Sequence, residues 1–115
     1  MKYNIIKDKS YKFALRSVKL YKYLLKEKKE YVLSKQILRC GTSIGANVEE
    51  AIGASSRKDF INKLNISYKE ARETNYWLRL LKDSDYITNN MFSSLEKDCT
   101  EICKIIFTIL KSSKT

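Results

Sequence analysis

Apolar residues return every three or four positions along four separate stretches of this chain, with polar clusters between them. In the first stretch Phe13, Ala14, Val18, Tyr21, Leu24 and Leu25 fall on one side at helical spacing, and Lys12, Arg16, Lys19, Lys22, Lys26 and Lys29 on the other. This predicts a helix over about residues 8–29, with Asp8 or Ser10 able to cap it by accepting orphan backbone N–H bonds. "KEKKEY" breaks the pattern, and a second helix is expected over 33–53, its apolar line running through Leu33, Ile37, Cys40 or Gly41, Ile44, Val48 and Ile52. "ASSRKD" offers Ser55 or Ser56 as the next cap, with Asp59 well placed in the first turn. The third helix, 57–82, carries Phe60, Leu64, Tyr68, Ala71, Asn75, Leu78 and Leu81 on one stripe. After the turn "DSDYITNN" the last helix, 89–112, places Phe92, Leu95, Cys99, Ile102, Ile106 and Ile109 in alternating steps of three and four, a seam that packs one helix on another.

Four amphipathic helices with short connections in 115 residues predict one all-α domain, an antiparallel up-down four-helix bundle. Helices three and four carry more apolar surface than one inward stripe needs: Ile61, Ile66, Trp77 and Leu80 on the third, Cys103, Phe107 and Leu110 on the fourth. Surplus apolar surface of this kind marks interfaces, so self-association into a closed ring or dimer is expected.

All three glycines lie in "LRCGTSIGANVEEAIGASSRKDF", Leu38 to Phe60. A phosphate-binding loop would need a preceding strand and a Lys-Ser/Thr pair after the glycines. Instead Ala46, Asn47, Val48 and Glu49 follow Gly45, and the adjacent acids Glu49 and Glu50 would repel a phosphate. Gly41 and Gly45 are four apart and share a helix face. Each costs about 1 kcal/mol relative to alanine in a helix interior, and close approach of a second helix would offset that. Asn47 sits beside the apolar line with Ser43 one turn before it. Asn47 is expected to bond a neighbouring helix, and Glu50 to join that network or pair with Arg39 or Arg72. A structural network and a ligand-facing pair both fit this pattern.

The net charge is +10, unevenly spread: residues 1–35 hold eleven Lys/Arg against three acids, and the remainder twelve against ten. A basic segment of this kind fits a polyanion partner. Lysine outnumbers arginine 18 to 5, which AT-rich coding would also give. The basic face of the first helix, Lys12, Arg16, Lys19, Lys22, Lys26 and Lys29, is the candidate nucleic-acid surface, RNA or DNA, with Tyr11 and Tyr23 near enough to stack on bases. Scarce arginine points to binding of low specificity. An anionic membrane surface is the rival partner, but the core claims the tyrosines and leucines that insertion would need.

The start, "MKYNIIKDKSYKF", has no apolar leader segment, and the run from Ile105 to Leu110 is far too short for a bilayer. Three cysteines give no disulfide framework, so a reduced, cytoplasmic protein is expected. With no histidine, the commonest general base and metal ligand is absent. Cys40, Cys99 and Cys103 read as core residues rather than a zinc site. No carboxylate pairs with a nucleophile, so the expectation is a protein that is not an enzyme and uses no cofactor.

"QILRCGTSIGANVEEAIGASSRKDFINKLNISYKEARETNYWLRLLKDSDYI", Gln36 to Ile87, resembles the bacterial four-helix-bundle family also called the 23S ribosomal RNA intervening-sequence proteins. That family has a Q-L-x-R-A/C-x-x-S-I/V-x-A-N-I/V-x-E-G core, a K-x-F step, an E-T-x-Y-W-L helix end and a G/D-Y-I turn. Gln36, Leu38 (shifted one apolar place with Ile37), Arg39, Ser43, Ile44, Ala46, Asn47, Val48, Glu50, Lys58, Phe60, Glu73, Thr74, Trp77 and Leu78 match it. Two departures stand out. No proline precedes the second helix, and Ala51 follows the Glu where glycine is usual, the glycine falling at Gly53; the second helix is therefore expected to run a turn longer. The resemblance implies an up-down bundle assembled as a homopentamer, without enzymatic activity. The family is also similar to the accessory protein of diversity-generating retroelements, which implies association with nucleic acid or with a protein partner such as a reverse transcriptase. Apart from the resemblance, a protein-interaction module whose partner meets an exposed apolar patch near Trp77 is the alternative expectation.

Overall fold

Four helices follow one another with short turns between them: α1 Asn4–Lys28, α2 Leu33–Ile52, α3 Arg57–Asp83 and α4 Asn89–Ser113. They come from a computed structural model describing residues 3–113, and no strand occurs among these. Each helix packs on its sequence neighbours, α1 closes the circuit more sparsely against α4, and the diagonal pairs do not approach. Lys7 faces Glu49, Arg39 faces Glu70, Cys99 faces Ala71 and Lys9 faces Glu101, so every neighbouring pair is antiparallel. The bundle measures 44 × 20 × 20 Å.

Three of the four helices lie within a residue of the predicted bounds; α1 does not. It starts at Asn4, and neither Asp8 nor Ser10 caps it. Ser10 is buried and donates to the Lys7 carbonyl at 3.2 Å. Packing decides this start: Ile6 is buried, and Tyr3 lies against Phe60 with ring centroids 5.2 Å apart. The buried stripe of α1 is also rotated from the expected one. It runs Ile6, Ser10, Phe13, Ser17, Leu20 and Leu24, while Ala14, Val18, Tyr21 and Leu25 are only half-buried.

Ser10 and Ser17 occupy core positions because α2 presents its glycines to them. A Cβ on Gly45 would stand 3.2 Å from the Ser10 carbonyl oxygen, and one on Gly41 would stand 2.7 Å from Ser17 Cβ. The two backbones meet along small residues, and this contact offsets the helix-propensity cost of both glycines. Gly53 meets only carbonyl oxygens of its own helix. It is the C-cap of α2 at φ −87°, so the helix runs past Ala51, where the family's usual glycine would fall, and ends at Ile52.

On the other side of α2, Ser67 Oγ of α3 donates to the Ile44 carbonyl at 2.8 Å, and Cys99 Sγ of α4 lies 3.2 Å from the Ala71 carbonyl. Leu64, Leu78, Leu81, Ile102 and Ile106 fill the space between these polar crossings.

The turns carry their own chemistry. Lys29 (φ 54°) and Asp85 (φ 65°) take the left-handed conformation that glycine usually supplies. Asp85 is the G/D position of the G/D-Y-I turn, and Asp tolerates this conformation better than most residues. Ser56 caps α3 by accepting from Asp59 N–H at 3.0 Å, and Thr88 accepts from Met91 N–H at 3.1 Å. No serine, threonine or asparagine caps α2; buried Glu30 does so from two residues upstream of Val32, accepting from Ser34 N–H at 2.7 Å and Val32 N–H at 3.2 Å.

Candidate nucleic-acid interface

The outer face of α1 is a lysine surface because its inner face is spent on Ile6, Phe13, Leu20 and Leu24, leaving Lys12 exposed and, two turns on, Lys19, Lys22, Lys26 and Lys29 exposed at steps of three and four. None of these five is in an ion pair among the described residues. Lys26, with Lys28, also sits in the last turn, where cations are favoured by the helix dipole.

Arg16, predicted to belong to this face, does not. Its guanidinium turns to α4, with Nη1 2.7 Å from Asp98 Oδ2 and 3.2 Å from the Ser94 carbonyl, and Nη2 donating to Ser94 Oγ at 2.8 Å. Lys9 pairs with Glu101 at 3.0 Å on the same seam, and Lys12 borders the groove that holds both acids. The α4 edge of the basic face is thus partly neutralised, whereas Lys19, Lys22, Lys26 and Lys29 form no ion pair among the described residues. Tyr11 is 62 % exposed at the other edge, beside a groove of about 240 Å³ over the small residues Ala14, Gly45 and Ala46. Tyr23 packs against the core instead of standing free.

The α2 motif residues serve two purposes. Gly41 and Gly45 make the helix contact described above. Ser43, Asn47 and Glu50 do not form the expected network between helices. Asn47 Nδ2 donates to the Ser43 carbonyl of its own helix at 2.9 Å, and Ser43 Oγ bonds the Arg39 carbonyl. Glu50 is exposed, and Arg39 goes to other acids: Nη1 meets Glu70 Oε2 at 3.0 Å, and Nη2 meets Glu73 Oε2. Glu73 Oε2 also accepts from Trp77 Nε1 at 3.0 Å. Arg39, Glu73 and Trp77 therefore form one clamp between α2 and α3. Trp77 is half-buried, while neighbouring Tyr76 is 49 % exposed.

The cysteines lie in and beside the core. Burial pushes the Cys40 thiol up to about 11. Cys99 is pushed up by its hydrogen bond with Cys103 and by burial, while that bond and the Arg72 guanidinium draw half-exposed Cys103 down. No group of three or more Cys, Asp or Glu among the described residues is placed to hold a metal, and no described helix is long and apolar enough to cross a membrane.

Sequence reasoning missed a second basic surface. Tyr68, Arg72, Asn75 and Arg79 share one flank of α3, and Phe107, Lys104 and Lys111 of α4 border the grooves beside Tyr68. The signal was present as a step of four, three and four, but Tyr68 and Asn75 read as core and drew attention from the arginines between them.

Fold and surface together define a small basic four-helix-bundle protein knit by a seam of small residues between its first two helices. The chain belongs to the 23S rRNA-intervening sequence protein family, whose sequence pattern matches residues 2–108. A crystal structure of a protein with unknown function from the S23 ribosomal protein family of Bacteroides thetaiotaomicron is similar to it at 59 % identity, covering 96 % of this chain and 99 % of that one, with a TM-score of 0.95. No curated protein matches the chain.

Proposed function

We propose that this protein is a non-enzymatic, homo-oligomeric scaffold that binds nucleic acid, RNA before DNA, with low sequence specificity. The observation that carries the reading is the row Lys19, Lys22, Lys26 and Lys29, exposed on one face and met by no acid among the described residues. Lysines of this kind neutralise phosphates and release counterions, which gives affinity without reading bases. Self-association is supported by apolar side chains left in water, Ile66 and Tyr76 on α3 and Leu15 on α1. In the ring of five that the family resemblance implies, repeated lysine faces raise avidity without any new contact.

The test is salt-dependent binding of the purified protein to structured RNA, with its mass measured in solution. Wild type is expected to bind with a steep salt slope, and Lys19→Glu/Lys22→Glu/Lys26→Glu to lose most affinity while keeping its helicity and mass. Unchanged binding by the triple variant overturns the reading.

A further inference from the structure

Three of the five arginines are committed to holding helices together: Arg16 to Asp98, Arg39 to Glu70 and Glu73, and Arg57 to the Ser113 carbonyl at 2.8 Å. The other two, Arg72 and Arg79, have no acidic partner among the described residues, and both stand exposed on one flank of α3. Between Tyr68 of α3 and Phe107 of α4 lies an open groove of about 500 Å³, bordered by Lys104. It continues past Lys111. The two rings are 6.1 Å apart and tilted by 42°, and Phe107 is 52 % exposed. Arg72 lies within electrostatic reach of Cys103, on the wall of this groove. Arg79 stands over the Tyr76 ring, 5.8 Å from its centroid. Glu96, on the same flank of α4, accepts from Thr100 Oγ1 at 3.0 Å.

A monomer gains little by leaving a phenylalanine half in water between unpaired cations. The same arrangement is what a flexible polyanion with flat faces requires: an aromatic ring to stack a base, and cations on both sides for the flanking phosphates. Duplexes keep their bases stacked inside and can offer such a groove only their backbone. We propose that the α3/α4 groove binds an unpaired polynucleotide strand, a base stacking on Phe107 and Tyr68 and its phosphates meeting Arg72, Lys104 and Lys111. The inference rests on the nucleic-acid reading above but on a different face, so the chain has a duplex-tolerant lysine surface on α1 and a single-strand groove opposite α2.

The experiment measures anisotropy of a labelled oligouridylate and of a labelled RNA hairpin with wild type, Phe107→Leu, Phe107→Tyr and Arg72→Gln/Arg79→Gln, each checked for helicity and mass. Phe107→Leu keeps apolar bulk but removes the ring face. It is expected to weaken oligouridylate binding on the order of 5- to 100-fold, with hairpin binding unchanged and Phe107→Tyr near wild type. The double arginine variant is expected to weaken oligouridylate binding and flatten its salt slope. Equal oligouridylate affinity in wild type and Phe107→Leu overturns the proposal. So does a smaller assembly in Phe107→Leu, which would make the groove a contact between copies. Reversal of Lys19, Lys22 and Lys26 reports on the α1 reading separately: if hairpin binding survives it while Phe107 still governs oligouridylate binding, only the α1 reading fails.

Discussion

Gly41 of α2 lies directly against Ser17 of α1, so closely that a β-carbon on Gly41 would come within 2.7 Å of Ser17 Cβ and nearer still to its hydroxyl. Ser17 in turn is held by its bond to the Phe13 carbonyl at 3.0 Å. Gly41→Ala is therefore expected to destabilise the bundle by about 1–3 kcal/mol through overpacking. Ser17→Gly in the same chain should recover much of that, because the missing atoms move to the other side of the contact. Gly53→Ala, which meets no other helix, should be neutral or slightly stabilising. Urea denaturation of the four proteins checks this; equal losses for Gly41→Ala and Gly53→Ala would show that the seam is not tight.

Glu30 gives stability a defined acid limb. Burial pushes its carboxyl up, but the N–H groups of Ser34, Leu33 and Val32 outweigh burial and hold it below the usual carboxylate value. A carboxyl that titrates lower when folded contributes fully above its unfolded value, and the contribution fades as pH falls through the lower folded value. Glu30→Ala is expected to cost about 1 kcal/mol at neutral pH, with the gap from wild type closing in acid. Thermal unfolding at several pH values measures the gap.

The clamp at Glu73 can be read through the chain's one tryptophan. Removing the carboxylate leaves Trp77 Nε1 without its acceptor and Arg39 with Glu70 alone. Glu73→Ala should shift Trp77 emission and lower stability by about 1 kcal/mol, while Glu73→Gln, which retains an acceptor, should shift emission less. Identical spectra for all three proteins would count against the clamp.

The three thiols should separate by reactivity. Cys40 and Cys99 are buried with raised thiols, whereas Cys103 is half-exposed and lowered. Brief alkylation of the native protein is expected to add one group, on Cys103, and alkylation in denaturant to add three. Mass spectrometry of tryptic peptides reads the order, and early labelling of Cys40 would contradict this picture of the core.

Helix number, order and most boundaries were legible because long amphipathic periods leave few alternatives. The orientation of α1 was not. Ser10 and Ser17 read as polar, yet they are buried with their hydroxyls returned to their own helix carbonyls, at Lys7 and Phe13. Serine fills a small space without an unmet donor, and a pattern of apolar against polar letters cannot see that. The candidate surface shows a similar limit. Spacing placed six cations on α1, but only the fold brings Asp98 to Arg16 and leaves the lysines to solvent. Arg72 is expected from the sequence only as a partner for Glu50, and neither it nor Arg79 stands out as surface, because their stripe also holds Tyr68 and Asn75, whose half-buried state depends on the fold.

The sparse meeting of α1 with α4 also orders events in time. α1–α2, α2–α3 and α3–α4 are each hairpins of adjacent segments, closed over short turns at little entropic cost. The α1–α4 edge joins the first and fourth helices, and its charged contacts, Lys9 with Glu101 and Arg16 with Asp98, exist only once α4 has been synthesised. A nascent chain can thus zip three helices together early and must wait to shut the fourth side. That last edge is expected to be the first to reopen, with amides near Asp98 and Glu101 exchanging with deuterium sooner as salt screens the pairs that hold them.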